Sequence, residues 1–112
     1  MLTIILGMEN YKADVAATMQ EGLEKTRRGN YDLILLDWYI IDGTGLELCL
    51  KIREFDQRTP ILFYSAVADA PHVKQAMEAG AQGYLVKPIG IDDLMQKVAR
   101  YTGVSKEHES NQ

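Results

Sequence analysis

The sequence has few of the features that mark specialised classes of protein. Among 112 residues there is one cysteine, Cys49, so no disulfide can form within the chain. The net charge of -4 gives no basic patch for nucleic acid or an anionic membrane. No apolar run approaches the roughly 18 residues of a membrane span, and the first residues do not resemble a signal peptide. We therefore expect a cytoplasmic protein without direct nucleic-acid or membrane partners.

Four short apolar runs have the character of strands. Residues 33–36, 61–64 and 84–86 are almost wholly apolar, which is typical of a parallel sheet covered on both faces. Residues 13–17 form a weaker run, in which Asp14 favours a position at the edge of the sheet.

Helix-like segments separate these runs. Thr18 and Glu21 have the spacing of a capping box, and Gly29 would end that helix. Three further segments have apolar residues at helical spacing: Leu48, Ile52 and Phe55; Val73, Ala76 and Met77, followed by Gly80; and Ile91, Leu94, Val98 and Tyr101. Strands that alternate with helices require right-handed crossovers, so the sequence predicts an open, three-layer α/β sheet.

Three polar residues directly follow predicted strands. Asp37, Ser65 and Lys87 come after the runs 33–36, 61–64 and 84–86, and the carboxyl ends of parallel strands lie at one edge. Such a set can support phosphoryl transfer to the carboxylate, with the hydroxyl and ammonium binding phosphoryl oxygens and a divalent cation neutralising charge. Taken singly, these residues are better explained as a turn acid, a capping serine and a loop lysine. Only their coincidence favours the phosphoryl chemistry.

Four segments, YDLILLDW, DGTGLEL, PILFYSA and AMEAGAQGYLVKP, resemble the receiver domains of two-component response regulators. The site positions lie 28 and 22 residues apart (37 to 65, 65 to 87), as in that family. The resemblance implies a flavodoxin-like fold and a phosphoacceptor, Asp37, that is served by a histidine kinase or phosphotransfer protein. It also implies phosphoryl binding by Ser65 and Lys87.

The same resemblance implies further roles. Magnesium would be bound by Asp37 and the backbone carbonyl of Tyr39. Tyr84 corresponds to the family's switch aromatic, although simple packing is an equal alternative. A downstream protein would bind the 71–101 face. The chain would be a signalling phosphoacceptor and not an enzyme, catalysing at most its own phosphotransfer and dephosphorylation.

The amino-terminal part departs from the family pattern. A receiver begins with a strand that ends in two magnesium-binding acids, whereas this chain has Leu6-Gly7-Met8-Glu9 there. The 30 residues from 7 to 36 are too few for the expected two helices, two strands and loops, which need roughly 45. Residues 1–10 are interpreted as a remnant of the first helix, with a strand as the alternative. They would belong to a domain over 1–101, before a polar tail over 102–112.

Loss of the first strand would have two consequences. Buried N–H and C=O groups of its neighbours would lack partners, at about 1–3 kcal/mol each. Magnesium binding would be weakened or lost, because the acidic pair is absent. The explanations are a longer reading frame, a degenerate receiver, and a gap closed by rearrangement or by a partner's strand. The alternative function is a pseudo-receiver that binds proteins independently of phosphorylation.

Overall fold

The structure is a computed structural model that describes residues 3–6, 13–29 and 31–102. Its elements are β1 (Thr3–Leu6), β2 (Ala13–Ala16), α1 (Met19–Arg28), β3 (Leu33–Leu36), β4 (Tyr39–Ile40), β5 (Gly43–Thr44), α2 (Gly45–Arg53), β6 (Ile61–Ser65), α3 (Ala70–Glu78), β7 (Gly83–Val86) and α4 (Ile91–Thr102). No helix in these ranges is long and apolar enough to span a membrane.

Five strands form one sheet in the order β2-β1-β3-β6-β7, while β4 and β5 form a separate pair. The four predicted strands are confirmed as β2, β3, β6 and β7, and β2 lies at the edge. All four residues of β3 are buried, because helices cover both faces of the sheet. The predicted open α/β architecture is therefore confirmed.

The prediction for the amino-terminal residues needs correction. Residues 3–6 form a strand, so their interpretation as a helix remnant is wrong, while 1–2 and 7–10 lie outside the described residues. β1 fills the internal position between β2 and β3 and is antiparallel to both neighbours: Thr3 pairs with Ala16 and Leu36, and Leu6 with Ala13 and Leu33. The six residues between β1 and β2 (7 to 12) suit an antiparallel connection, since a parallel crossover needs a dozen or more.

Rearrangement of the sheet therefore closes the gap that loss of the first strand would leave. β1 supplies hydrogen-bonding partners to β2 on one side and to β3 on the other. The sheet is consequently mixed, with four mutually parallel strands and one antiparallel strand. The domain boundaries at 101 and 102 stay predictions.

Apolar side chains pack on both faces of this sheet. The larger cluster, between the sheet and α1 to α3, includes Ile34, Leu36, Leu48, Ile52, Phe63 and Ala76. The smaller cluster, beneath α4, contains Leu33, Leu35, Leu62, Leu85 and Val98. Neighbouring residues of β3 enter different clusters, because successive strand side chains point to opposite faces.

Two residues predicted to face the core are largely exposed: Phe55 by 40% and Met77 by 43%. Phe55 follows the end of α2 at Arg53, so helical spacing does not govern its direction. On α3, Ala76 takes the buried position, and the side chain of Met77 is turned about 100° from it around the helix. Cys49 is buried as predicted, and burial raises the pKa of its thiol to about 11.

Helix α1 has the predicted ends. Thr18 Oγ1 accepts a hydrogen bond from the Glu21 N–H at 3.1 Å. The Glu21 carboxylate accepts from the N–H of Ala17 at 3.0 Å, one residue before the position that a capping box would use. Gly29 ends the helix with a φ of 81°, a conformation that glycine adopts without steric cost.

Candidate functional site

The structure brings two of the three predicted strand-end side chains into direct contact. Lys87, which follows β7, places its Nζ 2.6 Å from Oδ2 of Asp37, which follows β3. Ser65 ends β6, the strand between them, and its carbonyl accepts the Lys87 N–H at 3.0 Å. The parallel direction of β3, β6 and β7 is what gathers an acid, a hydroxyl and an ammonium at one edge.

The electrostatics of Asp37 reflect this neighbourhood. The residue is only 8% exposed, and burial by itself raises the pKa of a carboxyl group. The hydrogen bond and charge of Lys87, together with the Tyr39 N–H at 3.4 Å from Oδ1, outweigh burial and hold the pKa of Asp37 below its ordinary value. Asp37 is therefore ionised at neutral pH, which is the form required of a nucleophile.

The chain after Asp37 folds tightly back on itself. The Gly45 N–H donates to the Trp38 carbonyl at 2.6 Å. A Cβ at position 45 would lie 2.1 Å from the carbonyl oxygen of Asp37, so only glycine fits. Thr44 and Glu47 then form a complete capping box that begins α2. The T-x-x-E spacing of these two residues is a sequence signal that our motif analysis missed.

An aromatic cluster lies behind the acid. Trp38 is 5% exposed, with its ring centroid 5.7 Å from that of Phe63 and 4.6 Å from the edge-on ring of His72. The Tyr84 ring stacks on the Phe63 ring, with 5.6 Å between the two ring centroids. Tyr39 differs from its neighbour, because 58% of it is exposed. Sequence reasoning missed the contact of His72 with Trp38, which no local pattern encodes.

Tyr84 is connected to Ser65 through the loop residue Val67. Its hydroxyl donates to the Val67 carbonyl, and the Val67 N–H donates to Ser65 Oγ at 3.2 Å. Burial raises the pKa of Tyr84, a hydrogen bond with the Ser65 side chain opposes that rise, and the negative charge of Asp37 adds a smaller increase. The role of Tyr84 as a switch stays a prediction.

The described residues do not fit the magnesium site that the resemblance implied. Within 3–6, 13–29 and 31–102, no three His, Cys, Asp or Glu side chains could hold a metal together. Magnesium prefers six oxygen ligands, whereas the described side chains bring together one carboxylate, that of Asp37, and an ammonium in contact with it. A role for the Tyr39 carbonyl stays a prediction. The carboxyl end of β1 does not help, because Leu6 pairs with Leu33, at the end of β3 far from Asp37.

Known proteins resemble the chain over most of its length. The family model for the response regulator receiver domain matches residues 1–99. The response regulator ArlR of Staphylococcus haemolyticus (strain JCSC1435) is 36% identical over 97 residues, which are 87% of this chain and 44% of that protein. The chain thus spans less than half the length of the curated relatives it matches.

Solved structures are similar as well. A CheY-like response regulator receiver domain protein from Methanospirillum hungatei JF-1 has a TM-score of 0.80 and 27% identity, over 89% of this chain and 80% of that one. A two-component response regulator from Clostridium difficile has a TM-score of 0.72 and 31% identity, over 77% and 70% of the two chains.

Proposed function

The chain belongs to the response regulator receiver domain family, and on that basis we propose that it is the phosphoacceptor module of a two-component phosphorelay. Asp37 accepts a phosphoryl group from a phosphohistidine on a histidine kinase or phosphotransfer protein. The observation that carries this proposal is the ion pair of a buried, ionised Asp37 with Lys87 at 2.6 Å. A nucleophile and a cation that can bind phosphoryl oxygens share one site.

The proposed transfer uses the described side chains. An Asp37 carboxylate oxygen attacks phosphorus, and the P–N bond to the donor histidine breaks as the new P–O bond forms. The imidazole keeps the electron pair of the broken bond and takes a proton from solvent. Lys87 moves its hydrogen bond to a phosphoryl oxygen, and the Ser65 hydroxyl donates to another. Receiver domains in general also bind magnesium at this position, but no step here depends on it.

Signalling would follow from contacts with other proteins. Receiver domains act in signalling and not as ordinary enzymes, and the proposed output surface is the 71–101 face. If the Ser65 hydroxyl turns toward a phosphoryl group, the hydrogen bond that it accepts from the Val67 N–H changes. Because the Val67 carbonyl accepts a hydrogen bond from the Tyr84 hydroxyl, that change would extend to Tyr84. A cytoplasmic location suits such a partner-dependent module.

The phosphoacceptor role can be tested without knowing the kinase. The chain is incubated with a small phosphoryl donor such as phosphoramidate, with and without magnesium, and its intact mass is measured. We expect one phosphoryl group on the wild type and on the control Asp93→Asn, whose acid is exposed on α4, and none on Asp37→Asn. Labelling of Asp37→Asn, or none of the wild type, would contradict the assignment.

The donor set favours one alternative, a pseudo-receiver that binds partners without phosphorylation. The described residues place no second or third acidic ligand beside Asp37, and Lys87 already neutralises it. This alternative predicts no phosphoryl group on the wild type at any magnesium concentration. It also predicts that Asp37→Asn and the wild type pull down the same partner from the source cells. A phosphorylated wild type whose partner binding changes on phosphorylation would exclude it.

A further inference from the structure

We propose that Asp42 is a positioning residue for Asp37. Residues 39–44, here called the site hairpin, comprise β4, β5 and the turn between them. Asp42 lies in that turn and holds it against the beginning of α1. This contact fixes the path of the hairpin, and thereby keeps the Tyr39 N–H on the carboxylate of Asp37.

The contact is a short hydrogen bond between distant parts of the chain. Asp42 Oδ1 accepts the N–H of Met19 at 2.6 Å, across 23 residues. Met19 is the first residue of α1, and the first four N–H groups of a helix have no partner within it. A carboxylate at that end is also favoured by the helix dipole. Thr18 caps a different group, the Glu21 N–H, so the two caps are separate.

Packing beside Asp42 depends on the same approach. A Cβ at Gly43 would lie 2.1 Å from the terminal methyl of Met19, so the hairpin and α1 are in close contact at this residue too. At the other end of the hairpin, the Gly45 N–H is bound to the carbonyl of Trp38. The site hairpin is therefore held at α1 on one side and at the residue after Asp37 on the other.

Tyr39 is the part of the site hairpin that reaches Asp37. Its N–H lies 3.4 Å from Asp37 Oδ1, near the limit of a hydrogen bond, so a small displacement removes it. Side-chain packing holds the hairpin weakly at its tip: Ile40 is buried, but Tyr39 and Ile41 are 58% and 75% exposed. The bond from Met19 to Asp42 is thus a polar contact that ties the tip to α1.

The test compares Asp42→Ala with Asp42→Asn. Both remove the same charge, but asparagine keeps an oxygen that accepts the Met19 N–H and caps helices as well as aspartate does. We expect the Tyr39 amide proton to exchange with solvent faster, and its NMR signal to shift further from the wild-type position, in Asp42→Ala than in Asp42→Asn, because in Asp42→Ala the Tyr39 N–H no longer lies on the Asp37 carboxylate.

Thr18→Ala is the matched control. It removes the other capping bond at the same helix end without touching the site hairpin, and should leave the Tyr39 amide signal and its exchange rate at their wild-type values. Equal Tyr39 amide exchange in Asp42→Ala and Asp42→Asn, or the same increase in Thr18→Ala, would overturn the proposal. The measurement needs no phosphoryl donor, so its result is independent of whether Asp37 is phosphorylated.

Discussion

Strands β3, β6 and β7 are parallel and place Asp37, Ser65 and Lys87 at a shared edge, whereas β1, beside them, runs in the opposite direction. β1 meets the hydrogen-bonding needs of β2 and β3, because both neighbours pair with it. Its carboxyl end, however, lies away from the site. The comparison teaches that an internal strand has two separable duties: to complete the backbone hydrogen bonds, and to deliver ligands to the edge.

The largest effect is expected from Gly45→Ala, on the parallel side. The new methyl carbon would lie 2.1 Å from the Asp37 carbonyl oxygen and 3.0 Å from the Phe63 ring. Because backbone must move, we expect the free energy of unfolding to fall by about 3 kcal/mol or more. Urea unfolding measures this change.

Gly90→Ala is the control for that substitution. No atom lies within 4 Å of a Cβ at Gly90, and no positive φ is recorded there. Its unfolding free energy should stay within about 0.5 kcal/mol of the wild type. Equal losses in the two variants would mean that the tight return of the chain to Asp37 is not as described.

The parallel strands could be predicted from the sequence better than the antiparallel strand β1. β3, β6 and β7 could be located because strongly apolar runs, each followed by a polar residue, are local signals. The direction of β1 could not be assigned from residues 3–6, since a short apolar run suits a helix or a strand of either direction. The deciding information was the six-residue connection (7 to 12), which is informative only once both strands are known. Asp42 and Gly45 act through tertiary contacts that no spacing encodes.

Ile5→Pro tests the antiparallel half. Ile5 pairs with Asp14 and with Ile34, and proline removes an N–H from the middle of this sheet. One unpaired buried carbonyl costs about 1–3 kcal/mol, so the free energy of unfolding of Ile5→Pro should be lower than that of the wild type by this amount. Proton NOEs between Hα atoms of opposing β1 and β3 residues in the wild type check the direction, because parallel strands hold these protons farther apart.

Ile41→Pro is the control for Ile5→Pro. Ile41 is 75% exposed in the turn of the site hairpin, outside the paired residues of β4 and β5. The free energy of unfolding of this variant should stay within about 0.5 kcal/mol of the wild-type value. If Ile5→Pro were as stable as Ile41→Pro, β1 would not be a member of the sheet.

Lys87→Met should change how stability depends on pH. In the wild type the folded pKa of Asp37 is depressed, so its stabilising contribution is present above the unfolded value, roughly 3.9, and is lost as pH falls through the folded pKa. Without Lys87, burial prevails and the pKa of Asp37 rises. The unpaired carboxylate then costs about 1–2 kcal/mol at neutral pH, and the variant should recover stability relative to the wild type as pH falls toward 4.

Unfolding free energies of both proteins between pH 7 and pH 3 measure this difference. Lys97→Met, which changes a lysine on α4, is the control and should follow the wild-type pH dependence. A constant gap between Lys87→Met and the wild type at every pH would show that Lys87 contributes through contacts other than the ion pair with Asp37, for example through the cation–π contact of its Nζ with the Tyr64 ring at 5.1 Å.

The smallest effect is expected from Tyr84→Phe, which keeps the stack on Phe63 and removes only the hydroxyl that donates to Val67. One neutral hydrogen bond contributes about 0.5–1.5 kcal/mol, so the loss of stability should lie in that range. The more informative reading is the Val67 amide NMR signal. It should shift in Tyr84→Phe, because Val67 joins Tyr84 to Ser65, while the Ile5 amide in the antiparallel half should not. Equal shifts of the Val67 and Ile5 amide signals would mean that the site and the antiparallel strand β1 are coupled. The antiparallel direction of β1 would then affect the site.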